Sequence, residues 1–311
     1  MPHSTAHDSL QSIGATVFER GWLSSNNVLI QGDGPSALVD SGYSAHAPLT
    51  LSLVQATLKA QPLDRLLNTH LHSDHCGGNA LLQASYPALQ THIPPGHADA
   101  VAEWDADTLT YTPTGQTCPR FTHQGLLMPG ETIQLGSNRW EIHGAKGHDP
   151  HSVVLFQREA GVLISADALW NNGFGVVFPE LEGIDAFDEV GETLNVIEAL
   201  QPRTVIPGHG PVFTDVEEAL GRARSRLAQF LASPAHHRRY ALKVLVKFKL
   251  LEWQTISKKN LLAWSRQTPY MHSFMPEENT PASDQAWLDA LLNDLARSQS
   301  LRIEGDQVIN L

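Results

Sequence analysis

Cysteine is nearly missing from this chain: Cys76 and Cys118 are the only two in 311 residues. A disulfide framework is therefore not indicated, and a reducing, cytoplasmic setting is the expectation. Long apolar runs are missing too. No stretch approaches the roughly 18 consecutive apolar residues that span a bilayer, so no membrane association is expected. Residues 1–11 are polar and lack the charged start and apolar run of a signal peptide. Basic residues are scarce, 21 Lys and Arg against 33 Asp and Glu, for a formal net charge of −12. That balance argues against a general nucleic-acid binder, which needs a basic face. No Gly-x-Ser-x-Gly elbow occurs, so covalent serine catalysis has no support. Solenoid repeats and low-complexity tracts are absent as well.

What remains is ordinary globular composition, 41% hydrophobic and 17% charged, enough for a packed core. The length fits one large domain, or a main domain with a small appendage. Charge divides unevenly: from Ala235 onward ten Lys and Arg face eight Asp and Glu, or +2, leaving −14 for the rest. Histidine is abundant, at 16 residues, and neutral imidazole is the commonest metal ligand.

Short apolar runs at 16–22, 27–31 and 36–40, punctuated by Gly32, Gly34 and Pro35, read as strands. Leu49, Leu53, Ala56 and Ala60 recur at helical spacing, which predicts a helix over 47–60, stopped by Pro62. A strand over 65–69, a helix over 79–84 and a loop-rich insertion at 108–119 follow. Strands are predicted at 132–135, 140–144, 152–157, 162–165 and 204–206, with helices over 184–200 and 216–231. Strands, helix and strand thus occur twice, which suggests two α/β halves packed sheet on sheet with helices outside. Ser233-Pro234 is the best boundary, dividing 1–233 from 234–311. The tail reads as helices at 239–253, 257–267 and 283–298, then a small hairpin at 301–303 and 307–310, a winged-helix-like pattern.

Chemistry concentrates in His70-Leu71-His72-Ser73-Asp74-His75. At a strand end, residues two apart point the same way, so His70 and His72 can grip one cation. The turn that follows lets Asp74 and His75 face a second. These donors suit zinc, and also iron or manganese. Gly77-Gly78 allows tight backbone passage behind them. A polar loop with three surface histidines is the bland alternative, and the density of donors speaks against it. Further donors stand at later strand ends: His148, Asp167 and His209.

These residues resemble the metallo-β-lactamase-fold hydrolase superfamily. The marks are His-x-His-x-Asp-His, a mid-chain Gly147-His148, an Asp167 at a strand end and a late Gly208-His209, with Val39-Asp40-Ser41-Gly42 fitting the family's early strand-turn. The resemblance covers roughly 16–213. It implies a four-layer αββα sandwich and two metals. One would take His70, His72 and His148, the other Asp74, His75 and His209, with Asp167 bridging. The family often has Gly-His-Thr-Pro-Gly-His, whereas this chain has Gly147-His148-Asp149-Pro150-His151-Ser152. His148 is the ligand by position, and His151 reads as a histidine supporting the ligands from behind or as a structural one. Asp149 reads either as the orienter of an imidazole or as a turn former.

Two divalent ions sharing a water supply a hydroxide nucleophile, which Asp74 would help hold. The function expected first is hydrolysis of a small-molecule ester, thioester or lactone, because 72–79 looks like the run in lactonase and thioesterase branches. The second is cleavage of single-stranded RNA, motivated by the winged-helix-like tail and the basic stripe of His236, His237, Arg238, Arg239, Lys243, Lys247 and Lys249. That stripe reads also as a solvated helix face. The third is persulfide oxidation at a single iron. Lesser candidates are 170–175 as a substrate-contacting or merely structural loop, Tyr43 as cleft lining or packing, and Cys76 as a small buried residue. Trp264, Tyr270, Met271, Phe274 and Met275 are read as tail core or as an oligomer interface.

Overall fold

In the strand Asn27–Ile30, Val28 and Ile30 point to one side and Leu29 to the other, and all three are buried. A strand apolar on both faces must be covered on both, and the architecture follows from that demand. The computed structural model describes residues 2–277 and 280–311. Its strands are β1 (Ala15–Phe18), β2 (Asn27–Ile30), β3 (Ala37–Val39), β4 (Arg65–Leu67), β5 (Gln90–Ile93), β6 (Gly125–Leu126), β7 (Thr132–Leu135), β8 (Asn138–Gly144), β9 (Val153–Gln157), β10 (Val162–Ala166), β11 (Thr204–Pro207), β12 (Thr255–Ser257), β13 (Leu301–Glu304) and β14 (Gln307–Asn310). The helices are α1 (Pro2–Ser12), α2 (Ala47–Leu58), α3 (Ser73–Cys76), α4 (Asn79–Ser85), α5 (Ala98–Glu103), α6 (Tyr111–Thr114), α7 (Phe187–Leu200), α8 (Val216–Ala232), α9 (Pro234–Trp253), α10 (Lys258–Gln267), α11 (Pro269–His272) and α12 (Pro281–Arg297).

β1 to β6 form one sheet in chain order, antiparallel as far as β3 and parallel beyond it. β11, β10, β9, β8 and β7 form the second, parallel only at the β10–β11 edge. The sheets meet through Val28, Val39 and Leu67 on one side and Trp140, Leu155, Ile164 and Ile206 on the other. Leu29, Leu38 and Leu66 face outward onto Val54 and Leu58 of α2. Val154, Phe156 and Leu163 face outward onto Val190 and Leu194 of α7 and Leu220 and Leu227 of α8. The result is helix, sheet, sheet, helix, as the sequence pattern suggested.

Several expected bounds shift, each for a local reason. The strand expected at 16–22 stops at Phe18, because the Arg20 N–H turns to the Asn26 side chain at 2.8 Å. Residues 19–26 become a loop across the strand ends. Its Ser25 N–H donates to the Asp74 carbonyl and its Asn26 N–H to the Gly208 carbonyl, at 2.9 and 2.7 Å. The helix expected from Ile184 starts at Phe187, where the Glu180 carboxylate accepts the Ala186 and Phe187 N–H groups. The insertion at 108–119 is not all loop: it holds the short α6, with Tyr111 buried.

After Ser233, extended at φ −148°, α9 begins at Pro234 rather than at Arg239, proline being well suited to a first helical position. The helix expected from Ser257 starts one residue later, because Ser257 closes β12 and caps α10 by accepting the Asn260 N–H. β14 lies between β12 and β13. Residues 234–311 build a core from Leu245, Leu250, Leu261, Leu288, Leu292 and Leu301, which Val176 and Leu181 join from the larger part. Tyr270 and Met271 are buried in this core, and Trp264, Phe274 and Met275 pack on it. Among the described residues no helix is long and apolar enough to cross a membrane.

Candidate metal centre

The donors arrive on the ends of β4, β10 and β11, on the short α3 that carries Asp74 and His75, and on the turn before β9. Asp40, at the end of β3, sets the first segment. It adopts a positive φ of 59°, a conformation Asp tolerates better than most residues. Its carboxylate accepts the Thr69 N–H at 2.9 Å, the Thr69 hydroxyl at 2.8 Å and the His75 Nδ1–H at 2.8 Å. With Nδ1 so engaged, His75 turns its Nε2 into the centre. Behind it, a Cβ on Gly78 would lie 2.5 Å from the Ser41 carbonyl oxygen, so only glycine lets the two segments approach so closely.

Three donor groups form, each with its atoms within 4.8 Å of one another: His70, His72 and His148; His70, His75 and Asp167; and Asp74, His75 and His209. In the first, His148 Nε2 lies 3.2 Å from His70 Nε2 and 2.9 Å from His72 Nδ1. Those separations approach the edge of a tetrahedron around an ion about 2.0–2.1 Å from each nitrogen, roughly 3.3 Å. His148 donates its Nδ1–H to the Val176 carbonyl at 2.5 Å, which frees Nε2 to bind a cation. In the last group, Asp74 Oδ2 is 3.1 Å from His209 Nε2. Asp167 stands between, with Oδ2 3.4 Å from His148 Nε2 and Oδ1 3.4 Å from His75 Nε2. A Cβ on Gly208 would meet Asp167 Oδ1 at 2.2 Å, so this carboxylate too depends on a glycine.

The electrostatics favour a cation. Burial, then the neighbouring imidazoles, holds His70 well below its ordinary pKa. Burial and His148 bring His72 down to about 4. Burial lowers His148 as well. All three are neutral at pH 7, the form that coordinates metal. For His75 burial works downward, but Asp40, Asp167 and Asp74 outweigh it and raise the group well above its usual value. For Asp167 burial works upward, but His209, His75 and His148 hold it well below the carboxylate range. His75 Nε2 is buried without a hydrogen-bond partner. This nitrogen lies 4.0 Å from Asp74 Oδ2 and 3.4 Å from Asp167 Oδ1, and those carboxylates would favour a divalent cation there in place of a proton, so the donor set fits one.

All seven candidate residues, His70, His72, Asp74, His75, His148, Asp167 and His209, are thus brought together. His151 stays out, its ring packed on His97. Asp149 is a turn former: Oδ1 accepts the His151 N–H at 2.7 Å, while Oδ2 lies 3.9 Å from His72 Nε2, beyond hydrogen-bond range. Cys76 is buried, its sulfur 3.1 Å from the Tyr111 hydroxyl, and joins no donor group. Tyr43 is packing, buried against Phe248.

A cleft of about 580 Å³ opens over the donors. Trp22, Trp170 and Asn171 line one side, and Tyr240, Lys243, Val244 and Phe248 of α9 line another. The loop 170–175 therefore does reach the cleft. Sequence reasoning did not find Asp40 as the orienter of His75, although it noted the turn containing it. It also missed Trp22, for which no local signal exists. The basic stripe is a solvated face only in part, at His236, Arg238 and Arg239. His237 and Lys249 are buried, Lys247 donates to the Ser300 and Leu311 carbonyls, and Arg239 pairs with Asp294.

Comparison with known proteins agrees with this geometry. The family model described as the metallo-beta-lactamase superfamily matches residues 20–209. A hydroxyacylglutathione hydrolase of Rhodobacter capsulatus is 30% identical over 55% of this chain and 59% of its own length. One from Xanthomonas euvesicatoria is 25% identical over 83% and 85%. A beta-lactamase-like protein 2 homolog of Drosophila melanogaster is 28% identical over 64% and 62%. The first and third of these matches each span less than two thirds of the relative's length. Among solved structures, a metallo-beta-lactamase family protein of Thermus thermophilus superposes with a TM-score of 0.55 at 20% identity, covering 96% of this chain and 99% of its own.

Proposed function

The chain belongs to the metallo-beta-lactamase superfamily, and from that premise we propose a metal-dependent hydrolase with two divalent cations, most readily zinc, that cleaves a small-molecule ester, thioester or lactone. The observation that carries the reading is the position of Asp167, one oxygen toward the His148 side and the other toward His75 and His209. His70, His72 and His148 would hold one cation, Asp74, His75 and His209 the other, and Asp167 would join both. Bound there, the cations supply Lewis acidity and an acidified water. The chain's own residues do the rest. Asp40 and the Val176 carbonyl keep the protons of His75 and His148 on the nitrogens facing away from the centre. Asp74, which lines the cleft, would accept a hydrogen bond from the attacking water and orient it. Trp22, Trp170, Phe178 and Phe248 line the cleft and give it apolar walls.

The hydroxyacylglutathione hydrolases among the relatives support the thioester member of this substrate class. Residues 1–233 are proposed as the catalytic unit and 234–311 as a winged-helix-like unit. The succession α9, β12, α10, α11, α12, β13, β14 with β14 in the middle of the sheet supports the latter. That unit supplies a wall of the cleft through α9, a packing role that needs no nucleic acid. The test is elemental analysis of purified protein, then a panel of thioesters, esters and lactones with the metal found. Absence of cleavage across the panel by fully loaded protein would end this reading.

A further inference from the structure

His209 is held differently from the other four imidazoles. His70 Nδ1 meets the Thr69 hydroxyl at 3.2 Å, His72 Nε2 faces Asp149 at 3.9 Å, His75 has Asp40 and His148 has the Val176 carbonyl. His209 Nδ1 is buried with no partner. A ligand imidazole is ordinarily oriented by a polar group on its distal nitrogen; here none is present, and two indoles pack against the ring. The Trp22 ring lies parallel to His209, at 6° with centroids 5.2 Å apart. Trp170 meets His209 edge-on at 5.5 Å and Trp22 at 5.3 Å, separations that favour aromatic pairs. Trp170 also donates its Nε1–H to Asp167 Oδ1 at 3.2 Å, the oxygen on the His75 and His209 side. Trp22 is 55% exposed and lines the cleft.

We propose that Trp22 and Trp170 are positioning residues for the cation position formed by Asp74, His75 and His209, in place of the hydrogen bond that His209 lacks. The inference rests on the two-cation reading above. It makes that position depend on a side chain open to the cleft, whereas the position of His70, His72 and His148 depends on buried groups only. Whatever contacts Trp22 from the cleft therefore acts on one cation and not on the other.

The test is titration of metal-free protein with zinc against a chromogenic chelator, reading the affinity of each equivalent. His209→Ala assigns the equivalent that this position holds. In Trp22→Ala that same equivalent is expected to weaken tenfold or more, by about the 10–100-fold seen when an orienting partner is lost, with the other unchanged. Trp22→Phe, which keeps a stacked ring, restores most of the affinity. Trp170→Phe, which keeps the edge contact but has no N–H for Asp167, weakens the same equivalent. Melting of the metal-free variants checks the fold, and exposed Trp22 should move it little. Two equivalents in Trp22→Ala with parental affinities overturn the inference and leave the two-cation reading standing. A parent protein that takes up one equivalent overturns both.

Discussion

Asp40 Oδ2 accepts the Nδ1–H of His75 at 2.8 Å, a bond between residues 35 apart in sequence. The same carboxylate holds the Thr69 N–H and hydroxyl. It therefore fixes a tautomer and a backbone turn together. Asp40→Ala would strand three buried donors, each costing about 1–3 kcal/mol. A loss of several kcal/mol in denaturant unfolding is expected. Asp40→Asn retains the shape but not the charge, and should lower metal affinity about 10–100-fold. Unchanged metal retention under chelator in Asp40→Asn would refute the role given to Asp40.

Gly208 offers a sharper probe of the centre. An added Cβ would lie 2.2 Å from Asp167 Oδ1 and 3.0 Å from His75 Cε1. Gly208→Ala must push the carboxylate aside. Metal content after dialysis should fall and hydrolysis with it, while circular dichroism stays that of the parent. Full metal content in this variant would show that Asp167 is not held where the centre needs it.

Buried His237 gives stability a pH dependence. Its Nε2 accepts the Val177 N–H at 3.1 Å, and burial, then Arg238, lowers its pKa from 6.5 to about 4. Between those values the unfolded chain holds more protons than the folded one, so stability rises with pH through the window and levels above it. The shift corresponds to roughly 3 kcal/mol at most. Unfolding of metal-free protein at a series of pH values should show this slope, and His237→Gln should flatten it. An equal slope in both proteins would exclude His237 as its source.

Of the seven side chains in the basic stripe, His237 and Lys249 are buried, Lys247 and Arg239 are partnered and Lys243 lines the cleft, so exposed His236 and Arg238 should not suffice to bind RNA. Gel shifts with single-stranded RNA at low salt should show no complex. A complex that dissolves steeply as salt rises would reinstate that reading.

Much of this was legible from local pattern. Apolar alternation located the strands flanking the donors, because a strand's period is carried by its own residues. The short spacing of His70 to His75 carried a metal reading, since residues so close cannot scatter far. Other features were not legible. β5 and β6 went unassigned, their runs being short and mixed in character. The stripe on α9 looked solvated because its partners, Ser300, Leu311 and Asp294, lie some fifty or more residues away.

Residue type and local period alone determined that this chain would carry imidazoles and carboxylates on the loops after its strands. Only the tertiary structure decided which nitrogen of each ring faces inward, because that choice belongs to Asp40 and Val176, remote in sequence from the rings they hold. It alone brought the loop of Trp22 onto His209. The backbone of that loop bonds to Asp74 and Gly208, and such contacts exist only once both sheets have closed.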